Sequence, residues 1–506
     1  MDSHCPINAI ISCLLFLSFI YYFYFCTQIA TILENKNINH VHLDRNKRLA
    51  KDIVIYGFGN IGSKFLAMFL IPFLTFYVAK EELGFYDTAL EAILFMLPLT
   101  MLQMRESTFR LLIESNDESY RKHILSSTLF IEGLVFVLLF AIACLLPSFF
   151  TIRFLPLIVL SICTFSFYEI YIQAIRSIYS STYFVLISII TSFLTVTLVL
   201  LLYFVFKRPI IEALFAGNIL SRLTAILLIE LPRRKVIGVF SFRYVKKEYI
   251  KEIFSYSIPL LGTALAFGII TSSGKFIVNF IWGVEYNGIL GAAQKYAFII
   301  AILGTTFYQA WQVTAVKNFK EKGSEKFFSE VFNKYTVVLC LLVVVISFGF
   351  RSFKAYLIGP GFYQSVDLIY IYCVSSLFFC LSVFFEVTYQ CNKQPRKILY
   401  SIVSCAFITV PLTFLLTKYY GLMGYLAALT FAYAYLFIFR YFQTKSTLPI
   451  SLTKEFFLSC TGLIAGGVLF YGTKNQVIDY LLFFFAALLL SGYLLNARKY
   501  ITRKIL

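Results

Sequence analysis

The chain has 506 residues, of which 59% are hydrophobic and only 14% charged. A water-soluble domain is about 45–50% apolar with about 25% charge, so this balance excludes that class and points to a membrane protein. The net charge of +18 does not indicate nucleic acid as a partner, because the cations punctuate apolar runs instead of gathering on one solvated face with stacking aromatics.

Taken in chain order, residues 1–46 form an N-terminal extension. Ile10 to Ile32 is apolar enough to span a bilayer, yet Met1 to Ala9 carries no Lys or Arg. A secretory signal begins with a cationic segment, so the stretch reads either as an extra span or as an upstream extension. Beyond it, runs of about 20 mostly apolar residues, the length that crosses a membrane as a helix, recur fourteen times. They lie near 53–79, 84–104, 123–146, 152–175, 181–206, 210–231, 253–282, 286–315, 331–350, 363–390, 397–417, 421–442, 454–473 and 477–496. The predicted fold is therefore all-α, a polytopic membrane bundle of about fourteen transmembrane helices.

The loops alternate in charge. Those on one side, from Arg45 to Lys504, hold 31 Lys and Arg, and those on the other, from Lys80 to Lys474, hold 8. Cytoplasmic loops are the ones enriched in cations, so the core termini are expected in the cytoplasm. An even number of spans fits every loop. The longest connection, 232–252, is a basic linker, and no loop is long enough for a soluble domain of at least about 50 residues.

Several motifs suggest chemistry and are declined. Gly57, Gly59 and Gly62 have dinucleotide-binding spacing, with Glu82 twenty residues after Gly62. That site requires a βαβ unit inside a parallel sheet, whereas another apolar span follows here. Small residues that let helices approach closely account for the glycines better. No GxxxxGK[ST], HExxH, GxSxG or DxD sequence occurs, so direct use of ATP is not expected. The eleven Cys are scattered, without a CxxC pair or a metal-like cluster, and read as small packing residues.

The stretch Ile71 to Leu90, IPFLTFYVAKEELGFYDTAL, resembles the first hairpin of polysaccharide flippases. These belong to the multidrug/oligosaccharidyl-lipid/polysaccharide exporter superfamily. The shared features are Gly57, Gly59, Gly62 and Lys64, then Pro72, Thr75, Tyr77, Glu82, Gly84 and Tyr86; Phe76 stands where members often carry Arg. The resemblance continues through Gly274-Lys275-Phe276, NGILGAAQKY (Asn287 to Tyr296), AWQVTAVKNF (Ala310 to Phe319) and GLMGYLAAL (Gly421 to Leu429). It covers about Lys47 to the C-terminus. A weak internal repeat accompanies it: Gly84, Ala89 and Glu91 correspond to Gly288, Ala293 and Lys295, each pair 204 positions apart.

The resemblance implies two pseudo-symmetric six-helix lobes, 47–231 and 253–442, and two further helices within 443–506. It implies a central cavity, a bacterial inner-membrane location and an alternating-access transporter, not an enzyme. The cargo it implies is a glycan carried on polyprenyl pyrophosphate. A polysaccharide polymerase and a chain-length regulator are candidate partners beside membrane lipid. No cofactor is expected; a proton or sodium gradient would supply the energy.

A cation at the bilayer centre costs about 2.5–3.5 kcal/mol on the insertion scale, so intramembrane cations are functional candidates. Lys64, Lys275 and Lys295 fall in spans that the resemblance places around the cavity, where they could receive the pyrophosphate. Arg105 and Arg110 could meet it first at the cytoplasmic end, or Arg105 could simply pair with Glu106. Arg222 is a weaker candidate. Glu91, Glu132, Glu169 and Glu386 sit in apolar runs and are candidates for ion coupling, with structural pairing as the competing role. Glu91 and Lys64 form a candidate pair across the first hairpin. The rival functions are a multidrug extruder of the same superfamily, disfavoured by an excess of cavity lysines, and a membrane polysaccharide polymerase, disfavoured by the lack of a large external loop.

Overall fold

A computed structural model of the chain describes residues 70–505, apart from 116, 146–152, 179–180, 234–235, 320–322, 393 and 474. The described residues form fifteen α-helices: α1 (Leu70–Tyr77), α2 (Lys80–Thr100), α3 (Met104–Glu114), α4 (Glu118–Leu145), α5 (Leu155–Ile178), α6 (Ser181–Leu200), α7 (Ile210–Arg233), α8 (Lys247–Trp282), α9 (Val284–Asn318), α10 (Ser324–Ser352), α11 (Lys354–Leu357), α12 (Gln364–Cys391), α13 (Pro395–Thr444), α14 (Lys454–Gly472) and α15 (Gln476–Ile505). Helix is the form that satisfies every backbone amide within one segment, which lipid demands.

Local sequence explains several boundaries. Glu81 and Glu82 open α2, where the helix dipole favours anions. Pro395 starts α13 at the position where its missing N–H costs nothing. Gly283 alone joins α8 to α9, with φ of +96°, a conformation that side chains with a Cβ avoid.

Twelve helices are long and apolar enough to cross a membrane. The 50-residue α13 is broken at Gly421, whose φ of 61° and ψ of −141° are non-helical, so the two expected spans 397–417 and 421–442 run on from one another across that kink. The first expected span, 53–79, lies largely outside the described residues, as does the extension 1–46. The structure also adds α3 after the span at 84–104, and it starts α8 at Lys247, inside the expected linker. Outward residues such as Leu134, Val137 and Leu138 of α4 and Phe484, Phe485 and Leu488 of α15 are exposed, as suits helices bathed in lipid.

Two packing cores show how the halves meet. The larger is continuous across both, joining Ile71, Leu74, Leu83 and Phe215 of the first half to Ile289, Tyr296, Phe332 and Tyr425 of the second. The smaller, built from Met104, Ile124, Tyr171, Ile175 and Ile226, belongs to the first half and takes Ile253 of α8 from the second. The halves thus share the larger core, while the smaller one lies within the first half apart from what α8 contributes.

Candidate functional site

The site is built on α2, α8 and α9, which pack together where the halves meet. At its outer edge Lys80 Nζ lies 3.2 Å from Glu285 Oε1, and Thr75 Oγ1 accepts a hydrogen bond from the Gly359 amide at 3.1 Å. One turn further in, α2 and α9 touch backbone to backbone. A Cβ on Gly84 would stand 1.9 Å from the Val284 carbonyl oxygen, and one on Gly288 would stand 2.1 Å from that of Lys80. Adding 204 to 84 and 80 gives 288 and 284, so the two contacts exchange under the internal repeat. That is the signature of a two-fold axis running through the helix pair. Asn287 Nδ2 donates to Thr88 Oγ1 at 2.7 Å just beside it.

Deeper still lies a cluster of four charges. Lys295 of α9 donates to both oxygens of Asp87 at 2.6 and 2.7 Å. Lys275 of α8 lies 2.9 Å from Glu91 Oε1, and Ser272 Oγ donates to Glu91 Oε2 at 3.1 Å. Asp87 and Glu91 are one helical turn apart and so share a face of α2. Lys275 is 4% exposed and Asp87 1%. Eleven residues separate Lys80 from Glu91, about 16 Å at 1.5 Å per residue, which is near the middle of a hydrocarbon layer about 30 Å thick.

The surroundings explain the glycines of this region. Gly291 faces Asp87, whose carboxylate oxygen occupies the space a Cβ would need, and Gly274 faces the ring of Tyr425. Tyr372, Tyr425 and Tyr433, all buried, are within electrostatic reach of Glu91. The segment NGILGAAQKY is therefore a contact surface for α2 along most of its length, and its Tyr296 donates to the Leu357 carbonyl at 3.0 Å.

The structure brings Lys275, Lys295 and Glu91 together and scatters the other candidates. Glu91 pairs with Lys275 and not with the expected Lys64, which lies outside the described residues. Arg105 bridges Glu106 at 3.1 Å and Glu169 at 2.8 Å, so Glu169 is held within the first half. Arg110 lies over the ring of Tyr256 at 4.6 Å, tying α3 to α8 at the basic end. Arg222 lies over Phe165 at 4.0 Å and donates to the Asn218 carbonyl at 2.9 Å. Glu386 pairs with Arg440 at 3.0 Å. Glu132 accepts from Ser166.

Three charged residues were misplaced or missed from sequence. Arg440, counted with the loops, is 1% exposed inside the bundle and also donates to Ser401 Oγ and the Ser382 carbonyl, each at 3.2 Å. Arg351, likewise counted with the loops, is bonded to Asp479 and the Phe470 carbonyl. Asp87 is not among the residues that the sequence analysis selects; it lies in the second turn of α2, which begins at Lys80. Its signal was the four-residue spacing from Glu91. The excess of lysine expected at the lobe contact is not present among the described residues: two cations meet two carboxylates.

These features define a polytopic helical membrane protein with two halves related by internal symmetry and a buried charge cluster between them. The chain belongs to the polysaccharide biosynthesis protein family, whose model matches residues 49–312. No curated protein matches it in sequence. Among solved structures it is similar to the lipid II flippase MurJ in an inward closed conformation, at 15% identity and TM-score 0.67, covering 87% of this chain and 98% of that one. It is also similar to a multidrug resistance MATE family transporter of the MOP superfamily. The inward-facing form of a MATE transporter gives 14% identity and TM-score 0.61 over 84% and 96% of the two chains, and an outward-facing form gives 14% and 0.53 over 79% and 97%. At these identities the likeness establishes the fold.

Proposed function

We propose that this chain is a flippase that carries polyprenyl-pyrophosphate-linked oligosaccharide from the cytoplasmic to the outer leaflet of a bacterial inner membrane, for surface polysaccharide such as O-antigen or capsule. The observation that carries this reading is the pair of lysines, Lys275 and Lys295, held at mid-membrane depth by carboxylates of the opposite half. A pyrophosphate head is an anion of the kind those carboxylates stand in for. Lys offers it a mobile point charge on a flexible stem, and Asp87 and Glu91 satisfy the lysines until it arrives.

Transport then follows from differential contact. The pairs Lys275–Glu91 and Lys295–Asp87 hold α2 against α8 and α9 where the halves meet. An anion that takes the lysines weakens that contact and favours its opening, since a ligand shifts an equilibrium only through the state it binds better. The polyprenyl chain remains in lipid, and Arg105 and Arg110 lie at the end from which the head would enter. Lys64 belongs to the same proposed site by its place in the sequence. The reaction makes and breaks no covalent bond. A proton or sodium gradient is the proposed energy source, and a polymerase and a chain-length regulator are proposed partners.

A multidrug extruder is the second reading, favoured by Asp87 and Glu91, which could receive a cationic drug as readily as the lysines receive an anion. Expression in a bacterial strain without its own flippase separates the two. Wild type should restore surface polysaccharide, and Lys275→Ala and Lys295→Ala at matched membrane levels should lower it at least tenfold. Raised drug tolerance without polysaccharide, across a panel of glycan donors, would replace the flippase reading with the extruder.

A further inference from the structure

Four carboxylates were singled out within the apolar runs, and the structure separates them. Glu91 pairs with Lys275, Glu169 with Arg105 and Glu386 with Arg440. Glu132, in the middle of α4, has no cationic partner among the described residues. It is 1% exposed, accepts from Ser166 Oγ of α5 through Oε1, and leaves Oε2 buried with no hydrogen-bond partner.

A second observation points to what reaches it. From Glu132 toward the basic end, α4 presents Thr128, Ser127 and Ser126, and α3 presents Ser107 and Thr108, all of them buried. Thr108 and Thr128 share a hydrogen bond of 3.1 Å, and the Ser127 hydroxyl has no partner. Ser126 Oγ accepts from the Ser241 amide, and His123 Nδ1 lies 2.7 Å from the Tyr244 carbonyl oxygen, so this end of α4 is packed on the basic linker.

We propose that Glu132 is a proton-binding site inside the first half, reached from the basic-loop side by way of the buried Thr108–Thr128 hydroxyl pair, Thr128 being one helical turn from Glu132. The step is simple in its balance: a proton from water passes by way of these hydroxyls, which can each donate and accept, and forms an O–H bond at Glu132 Oε2. The proton can be gained or lost without breaking an ion pair, which sets Glu132 apart from the other three carboxylates. The groups facing it from α5 are the Ser166 hydroxyl and the Cys163 thiol. This assignment is independent of the cargo, because it concerns a proton and a carboxyl only.

Infrared difference spectroscopy on the full chain in lipid nanodiscs tests it, with water and the proton as probes. The spectrum recorded between acidic and alkaline buffer should contain the carbonyl-stretch band of a protonated carboxylic acid in apolar surroundings. That band should vanish in Glu132→Gln and move in Glu132→Asp, which retains a carboxyl and guards against misfolding of the first variant. In Thr128→Val, which removes the hydroxyl nearest along α4, its shift on transfer to heavy water should slow at least tenfold. A band unchanged in both Glu132 variants, or its absence from wild type, overturns the proposal. An unchanged exchange rate in Thr128→Val overturns the route.

Discussion

At the scale of single residues, the Lys275–Glu91 pair shows what burial does to charge. Both groups have left water, and each is tolerable because the other is 2.9 Å away. Removing one partner leaves an uncompensated charge, which costs roughly 3–5 kcal/mol, whereas removing both can be nearly neutral. Lys275→Met alone should therefore lower the thermal midpoint in detergent markedly, and adding Glu91→Leu should recover most of the loss. If the double variant is as unstable as the sum of the two singles, the pair is not an energetic unit. Arg440 and Glu386 make the same argument in the second half: Arg440→Leu should destabilise the protein more than Glu386→Gln, because Arg440 also holds Ser401 and the Ser382 carbonyl.

At the scale of elements, two glycines have distinct duties. Gly421 breaks α13 with a positive φ, so a Cβ there is strained by about 1–3 kcal/mol. Gly421→Ala should lower the thermal midpoint although the space around it is open enough, its nearest neighbour for a new Cβ being Trp282 at 3.7 Å. Gly84 instead lies in the helical part of α2, and its constraint is the carbonyl of Val284. Gly84→Leu should leave α2 helical and force α2 and α9 apart. The measurable result is greater labelling of Lys295→Cys by a water-soluble thiol reagent in the Gly84→Leu background; equal labelling would show that the close approach does not control access.

At the scale of the whole molecule, the contact between the halves runs from the Lys80–Glu285 pair at its outer end to the buried charge cluster of Asp87, Glu91, Lys275 and Lys295. Lys80→Cys with Glu285→Cys should be joined by a short bifunctional thiol reagent, because the native side chains span the gap and meet at the outer end of the contact. Lipid-linked glycan added beforehand should reduce the yield severalfold if it opens that end. A yield unaffected by the glycan would separate cargo binding from this contact.

Much of this was legible in the chain itself. Apolar runs of membrane length, the charge asymmetry of the loops and the 204-residue repeat are properties of short segments and their spacing, so composition and periodicity reveal the helices and their alternation. The spacing Asp87–Glu91 likewise lay in the sequence once the start of α2 was known. Partnership was not legible. That Glu91 meets Lys275, that Arg440 is enclosed instead of standing in a loop, and that Glu132 alone of four carboxylates lacks a cation depend on which helix faces come together. Those choices are made by packing between segments hundreds of residues apart, where a shift of one residue turns a side chain by about 100° around its helix. The sequence by itself determined that the chain is a many-helix membrane bundle with charges within its spans; only the tertiary structure decided which of those charges neutralise one another and which has no cationic partner among the described residues, because only packing brings distant helix faces together.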